Sequence, residues 1–162
     1  MIRNVPSKTD ERTESLRNAI EHRATWMGLL IDEAKKKGLD TSFAHAAIRR
    51  CGVLHGMNKF PRTDDMAEFA PAFANEESKK VFEMELIRND DRHLHIDFHY
   101  CPLVAAWIKA GLPLEDMPEL CDIAMEGDRG IVSTYDKFSF TLGKTIAKGD
   151  DVCEIRIDKV ED

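Results

Sequence analysis

The chain has 162 residues, 43% hydrophobic and 33% charged, with a formal net charge of -7 at pH 7. That balance describes a single soluble globular domain able to bury its own core without disulfides or a structural metal. The acidic surface argues against a nucleic-acid partner. No apolar run reaches the ~20 residues of a membrane span, and the opening MIRNVPSKTDERTES has no hydrophobic leader segment, so a cytoplasmic protein is expected.

The four cysteines, Cys51, Cys101, Cys121 and Cys153, are widely spaced and contain no CxxC pair, a pattern of reduced thiols rather than of a disulfide framework. After a polar arm over residues 1–10, apolar residues recur at helical spacing from Leu16 to Ala34 and end at KKKG. This predicts a long amphipathic helix from about Glu11 to Lys37. Thr41 or Ser42 should cap a second helix with Phe43, Ala47, Cys51 and Leu54 on one stripe, Cys51 facing the core, and Gly56 as its stop. Pro61 and Pro71 break the segment from Lys59 to Asn75 around a short helix near Asp64 to Phe69, which reads as a lid or a plain connector. His55 reads as a surface or end-of-helix residue, with a place at the site as the alternative.

The second half alternates. Residues 80–88, KVFEMELIR, put Phe82, Met84 and Leu86 on one face and Glu83 and Glu85 on the other, the period of a β-strand. Asn89-Asp90-Asp91 supplies turn chemistry before the next strand. Pairing apolar with apolar across that turn requires a loop of odd length, three or five residues.

The strand that follows runs into HLHIDFHYCP, His93 to Pro102. Alternation places His93, His95, Asp97, His99 and Cys101 on one side and Leu94, Ile96, Phe98 and Tyr100 on the other. Pro102 then opens a helix carrying Leu103, Val104, Trp107 and Ile108, which makes Cys101 the expected N-cap residue. A thiol at a helix N-terminus is a setting that lowers cysteine pKa, and His99 would share its face. A further helix is expected over Leu114 to Glu126 with Leu120, Cys121 and Ala124 inward, then a turn at Gly127 to Gly130. Phe138, Phe140 and Leu142 mark a strand, Lys148 to Asp151 a turn, and VCEIRI the last strand, with Cys153, Ile155 and Ile157 sharing a side.

Together these elements predict one α+β domain over residues 1–162: a helical part (11–75) packed on a mostly antiparallel sheet of about four to five strands with two inserted helices (76–158). The region from about Asn75 to Ile157 resembles the L-2-amino-thiazoline-4-carboxylic acid hydrolase family. The resemblance rests on Cys101 with Pro102, on AGLPLEDMPELCDIAMEGD and on TIAKGDDVCEIRI, and it places Cys101, Cys121, Asp128, Thr145, Gly149, Asp150 and Cys153 on the family's recurring positions. It implies hydrolysis of a C–N bond in a small cyclic amidine, with a carbamoyl-cysteine type product.

The expected machinery is therefore Cys101 as nucleophile, His99 for proton transfer, and Asp97 or Asp128 in support. His95, Cys121 and Arg129 are candidates for substrate binding, Arg129 through a substrate carboxylate. Neither cofactor nor metal is required, the partner is a small molecule, and a homo-oligomer is left open. Two alternatives stand beside this reading: a non-catalytic small-ligand or sensor domain, and a metal-dependent hydrolase using His95, Asp97 and His99 with Cys101.

Overall fold

The computed structural model describes residues 1–161 and is the α+β domain expected, with the sheet reduced to four strands. Asp10 accepts a hydrogen bond from the Thr13 N–H at 2.8 Å and starts α1 (Glu11–Lys36). Glu11 and Glu14 lie in its first turn, Lys35 and Lys36 in its last, each sign opposing the nearer end of the helix dipole. Helices α2 (Ser42–Lys59), α3 (Met66–Phe73) and α4 (Glu76–Val81) follow, then α5 (Pro102–Lys109) and α6 (Met117–Val132). Among the described residues no helix is long and apolar enough to cross a membrane.

Two expectations about glycine are overturned here. α2 runs through Gly56 to Lys59, and α6 absorbs the Gly127 to Gly130 stretch instead of ending before it. These glycines are contact surfaces. A Cβ on Gly130 would stand 2.3 Å from the Arg49 carbonyl oxygen, and one on Gly56 would stand 2.9 Å from that of Ile131. α2 and α6 therefore touch backbone to backbone, and the inward face of α2 is Ala44, Ile48, Gly52 and Gly56. Phe43, Ala47, Cys51 and Leu54, expected as a single stripe with Cys51 in the core, are all exposed.

The sheet is antiparallel throughout, in the order β1-β2-β4-β3, from β1 (Met84–Asn89), β2 (His93–Phe98), β3 (Phe138–Leu142) and β4 (Cys153–Lys159). The pairs Met84 with Phe98 and Leu86 with Ile96 match apolar to apolar, but an odd loop does not set that register: Asn89 pairs with Leu94 at the turn, an even connection, and a β-bulge between Leu86 and Arg88 shifts the ladder by one residue. Leu94, Ile96, Phe98, Cys153, Ile155 and Ile157 face the helices and are buried. The segment from Lys59 to Asn75 is a wall and not a lid: Met66 and Phe69 are fully buried, and Tyr135 Oη donates to the Pro61 carbonyl at 2.6 Å.

Candidate functional site

The residues ahead of Cys101 leave the sheet by a defined route. The β1–β2 ladder ends at Met84 with Phe98. Beyond it the His99 N–H donates to the Glu83 carbonyl (3.2 Å) and the Tyr100 N–H to that of Phe82 (3.1 Å). Glu83 carries a φ of 49°, a left-handed conformation that costs a β-carbon residue about 1 kcal/mol or more. Its carboxylate is held by the Ser7 N–H (2.7 Å), the Ser7 hydroxyl (2.8 Å), the Lys8 N–H (3.2 Å) and Arg17 (3.3 Å). Arg17, itself buried, also donates to the carbonyls of Val81, Lys80 and Lys8, and its guanidinium lies 4.5 Å from the Tyr100 ring centroid.

At this bend the strict alternation stops. Tyr100 is buried, and Cys101, the N-cap of α5, lines an interior cavity of about 280 Å³. The cavity lies between the inner face of the sheet, represented by Met84, Phe98 and Cys153, and helices α1, α2, α5 and α6. Most of its wall is apolar. Its polar and reactive side chains are Cys101, Cys121, Cys153, Asp128, His55 and Arg23, with Cys51 and Ser78 completing the set.

Burial dominates the chemistry of these groups. The Cys101 thiol is pushed up to about 11 by desolvation, against the opposing pull of the Val104 and Leu103 N–H groups at the start of α5. The expected low-pKa thiolate is thus reversed: the helix end acts in the predicted direction, but removal from water outweighs it. No capping hydrogen bond to the sulfur closes. Cys121 is pushed up to about 12 by burial, with the Thr145 side-chain hydrogen bond pulling it down. Cys153 is raised by burial, and its sulfur accepts the Ile146 N–H at 3.3 Å. The charge of an ionised Cys101 raises both other thiols, which places the three sulfurs around one space.

Asp128 is the carboxylate of the cavity. Desolvation raises its carboxyl to about 6, opposed by the positive charges of Arg129 and Arg23. No hydrogen bond or ion pair joins it to another described residue, and its side chain is half-buried rather than sealed from solvent. A half-buried carboxylate that lines the cavity and is raised to about 6 can exchange a proton near neutral pH. Arg23, on the exposed side of α1, likewise has no ion-pair partner there and stands at the cavity wall.

The remaining residues singled out from sequence lie elsewhere. His99 Nε2 meets Glu85 Oε2 at 2.8 Å, His95 Nε2 meets Asp158 Oδ1 at 2.7 Å, and Asp97 accepts from Arg156 Nη2 at 2.8 Å. All three lie off the cavity, on the outer side of the sheet, so the strand does not bring His99 to Cys101. Among the described residues no group of three or more His, Cys, Asp or Glu is arranged to hold a metal ion. Arg129 is engaged with Asp122 (2.7 Å) and Glu126 (2.9 Å) and does not line the cavity. His55 and Arg23, which do, carried no pattern of their own; His55 sits three positions after Gly52, and only the glycine contact reveals which way that face turns.

The positions shared with the resembling family converge. Asp150 Oδ2 accepts the Thr145 N–H at 2.9 Å, Gly149 takes the left-handed φ of 94°, and the turn they form sets Thr145 beside Cys121. Fold and site thus define an α+β domain built around a thiol-lined interior cavity with one titratable carboxylate. The sequence matches the family model of L-2-amino-thiazoline-4-carboxylic acid hydrolase over residues 17–157, and the chain belongs to that family. No curated protein matches it significantly. Among solved structures, the fold is similar to that of a trafficking protein particle complex subunit 3 from Naegleria fowleri, covalently bound to palmitic acid. The likeness has a TM-score of 0.56 at 18% identity and covers 87% of this chain and 95% of the other.

Proposed function

We propose that this hydrolase opens the ring of a small cyclic amidine, of the 2-amino-thiazoline-4-carboxylate type, inside the interior cavity. Cys101 is the nucleophile and Asp128 its general base. The observation that carries the reading is that both groups, one at the N-terminus of α5 and one within α6, line the same cavity. A thiol held near 11 needs its proton removed at the moment of attack, and a carboxyl near 6 is ionised at pH 7 and able to take it.

Sulfur adds to the amidine carbon while Asp128 accepts the thiol proton. The ring C–N bond breaks as the exocyclic amino group becomes the C=N of the adduct, and the departing ring nitrogen leaves as an amine with two protons, the one held by Asp128 and one released by the exocyclic nitrogen. Water, deprotonated by the same carboxylate, then adds to the carbon, and collapse expels the Cys101 sulfur, which recovers its proton. Substrate plus water gives a carbamoyl-cysteine type product, and the enzyme is restored. Arg23 at the cavity wall pairs with the substrate carboxylate, and Cys121 and Cys153 form the floor.

Turnover by Cys101→Ala and Asp128→Asn tests this reading. Each variant should lose roughly 100-fold or more in kcat/KM; wild-type turnover by Cys101→Ala would exclude covalent catalysis.

A further inference from the structure

Cys101 is held by a side chain from outside the span of the family match. The Asn4 side-chain NH2 donates to the Cys101 carbonyl at 2.8 Å, and the Cys101 N–H donates to Asn4 Oδ1 at 2.9 Å. One planar amide thus bridges both main-chain groups of one residue, the pattern a neighbouring β-strand would supply, while the Cys101 carbonyl also accepts the Ala105 N–H at 3.2 Å as α5 begins. The need for it follows from the route of the chain. Phe98 is paired by Met84, His99 and Tyr100 by the carbonyls of Glu83 and Phe82, and at Cys101 the backbone of α4 and β1 supplies no further partner. Three residues of the arm separate Asn4 from Lys8, and the arm is fastened on that side by the Ser7 and Lys8 contacts to Glu83 and by Arg17. Ile2 packs against the core. The family match begins at residue 17, so neither the strap nor its amide lies within the matched region.

We infer that Asn4 is a positioning residue for the reaction: it clamps the Cys101 peptide so that the sulfur points into the cavity rather than following the strand's alternation to the outer face. The inference rests on the nucleophile reading above but is measured separately from it. Without the clamp, Cys101 gains the freedom to rotate out, and the sulfur loses its place against the amidine carbon; misplacement of about 1 Å can cost on the order of 10²-fold in rate.

The experiment compares wild type with Asn4→Ala and Asn4→Asp in two assays. Asn4→Asp is isosteric, keeps the acceptor for the Cys101 N–H and replaces the donated half of the clamp with a carboxylate oxygen that repels the Cys101 carbonyl. Site-resolved iodoacetamide labelling of the folded protein, without substrate, should show Cys101 reacting about fivefold faster or more in Asn4→Ala while Cys121 and Cys153 stay at wild-type rates, the mark of local opening. In the same variant kcat should fall roughly tenfold or more with KM little changed, and Asn4→Asp should shift both readouts the same way. Parallel acceleration of all three thiols would mean general loosening and would overturn the inference, as would a kcat within about twofold of wild type. If Cys101→Ala proves active, the nucleophile reading falls, and the substrate-free labelling ratio still judges the clamp.

Discussion

Gly52 and Gly127 meet so closely that a Cβ on Gly52 would stand 2.1 Å from the Gly127 carbonyl oxygen. This contact sets α2 directly on α6 and so brings His55 and Cys51 to the cavity that Asp128 faces from α6. Gly52→Ala should therefore cost about 3 kcal/mol or more, because the atom in the way is backbone and cannot rotate aside. Urea unfolding measures it; a variant of wild-type stability would show that the helices can separate without cost.

Asp128 couples activity to stability. Its folded pKa of about 6 lies above the ordinary 3.8, so the native state binds more protons than the unfolded chain between those values. Stability then falls as pH rises from about 4 to about 6, and the full penalty, on the order of 2–3 kcal/mol, persists above that. Asp128→Asn should raise stability at pH 7.5 while removing turnover, and the gain should vanish near pH 3.5. For wild type, kcat/KM should rise with pH through a midpoint near 6. Equal stability of the two proteins at pH 7.5 would contradict this.

The thiols should sort by burial. Cys51 is exposed, whereas Cys121 and Cys153 are buried and the Cys101 thiol is raised to about 11. At pH 8 a disulfide-exchange reagent should label Cys51 quickly and the other three far more slowly, with all four reacting alike in denaturant. Fast labelling of Cys101 in the folded protein would mean that its sulfur is not enclosed.

How far the sequence disclosed this arrangement depends on what marked each feature. The apolar pairing of the hairpin was legible because side-chain alternation sets Ile96 against Leu86 and Phe98 against Met84, but the means was not: a β-bulge between Leu86 and Arg88, not loop parity, sets that register. Cys101 was legible because Pro102 announces a helix start. The face of α2 was not, since hydropathy favours large side chains, and here the buried contact is made by Gly52 and Gly56 while Leu54 is left 62% exposed. Glycines at 127 and 130 read as a turn for the same reason. His99 was placed beside Cys101 by extending alternation past Phe98, where the left-handed Glu83 and the buried Tyr100 end the strand.

The outer face of the sheet should prove dispensable for turnover. His99 pairs with Glu85 and His95 with Asp158, away from the cavity. His99→Ala and His95→Ala should keep kcat/KM within about twofold of wild type, since neither contributes to proton transfer at Cys101. A loss of 100-fold or more in either would return the chemistry to that face.

The central claim is a covalent step at Cys101, and intact-protein mass spectrometry of enzyme quenched in acid during turnover addresses it most directly. The account predicts an added mass equal to that of the whole substrate, mapped to the Cys101 peptide and lost with time as product accumulates. Active enzyme that never carries such an adduct, together with undiminished turnover by Cys101→Ala, would contradict it.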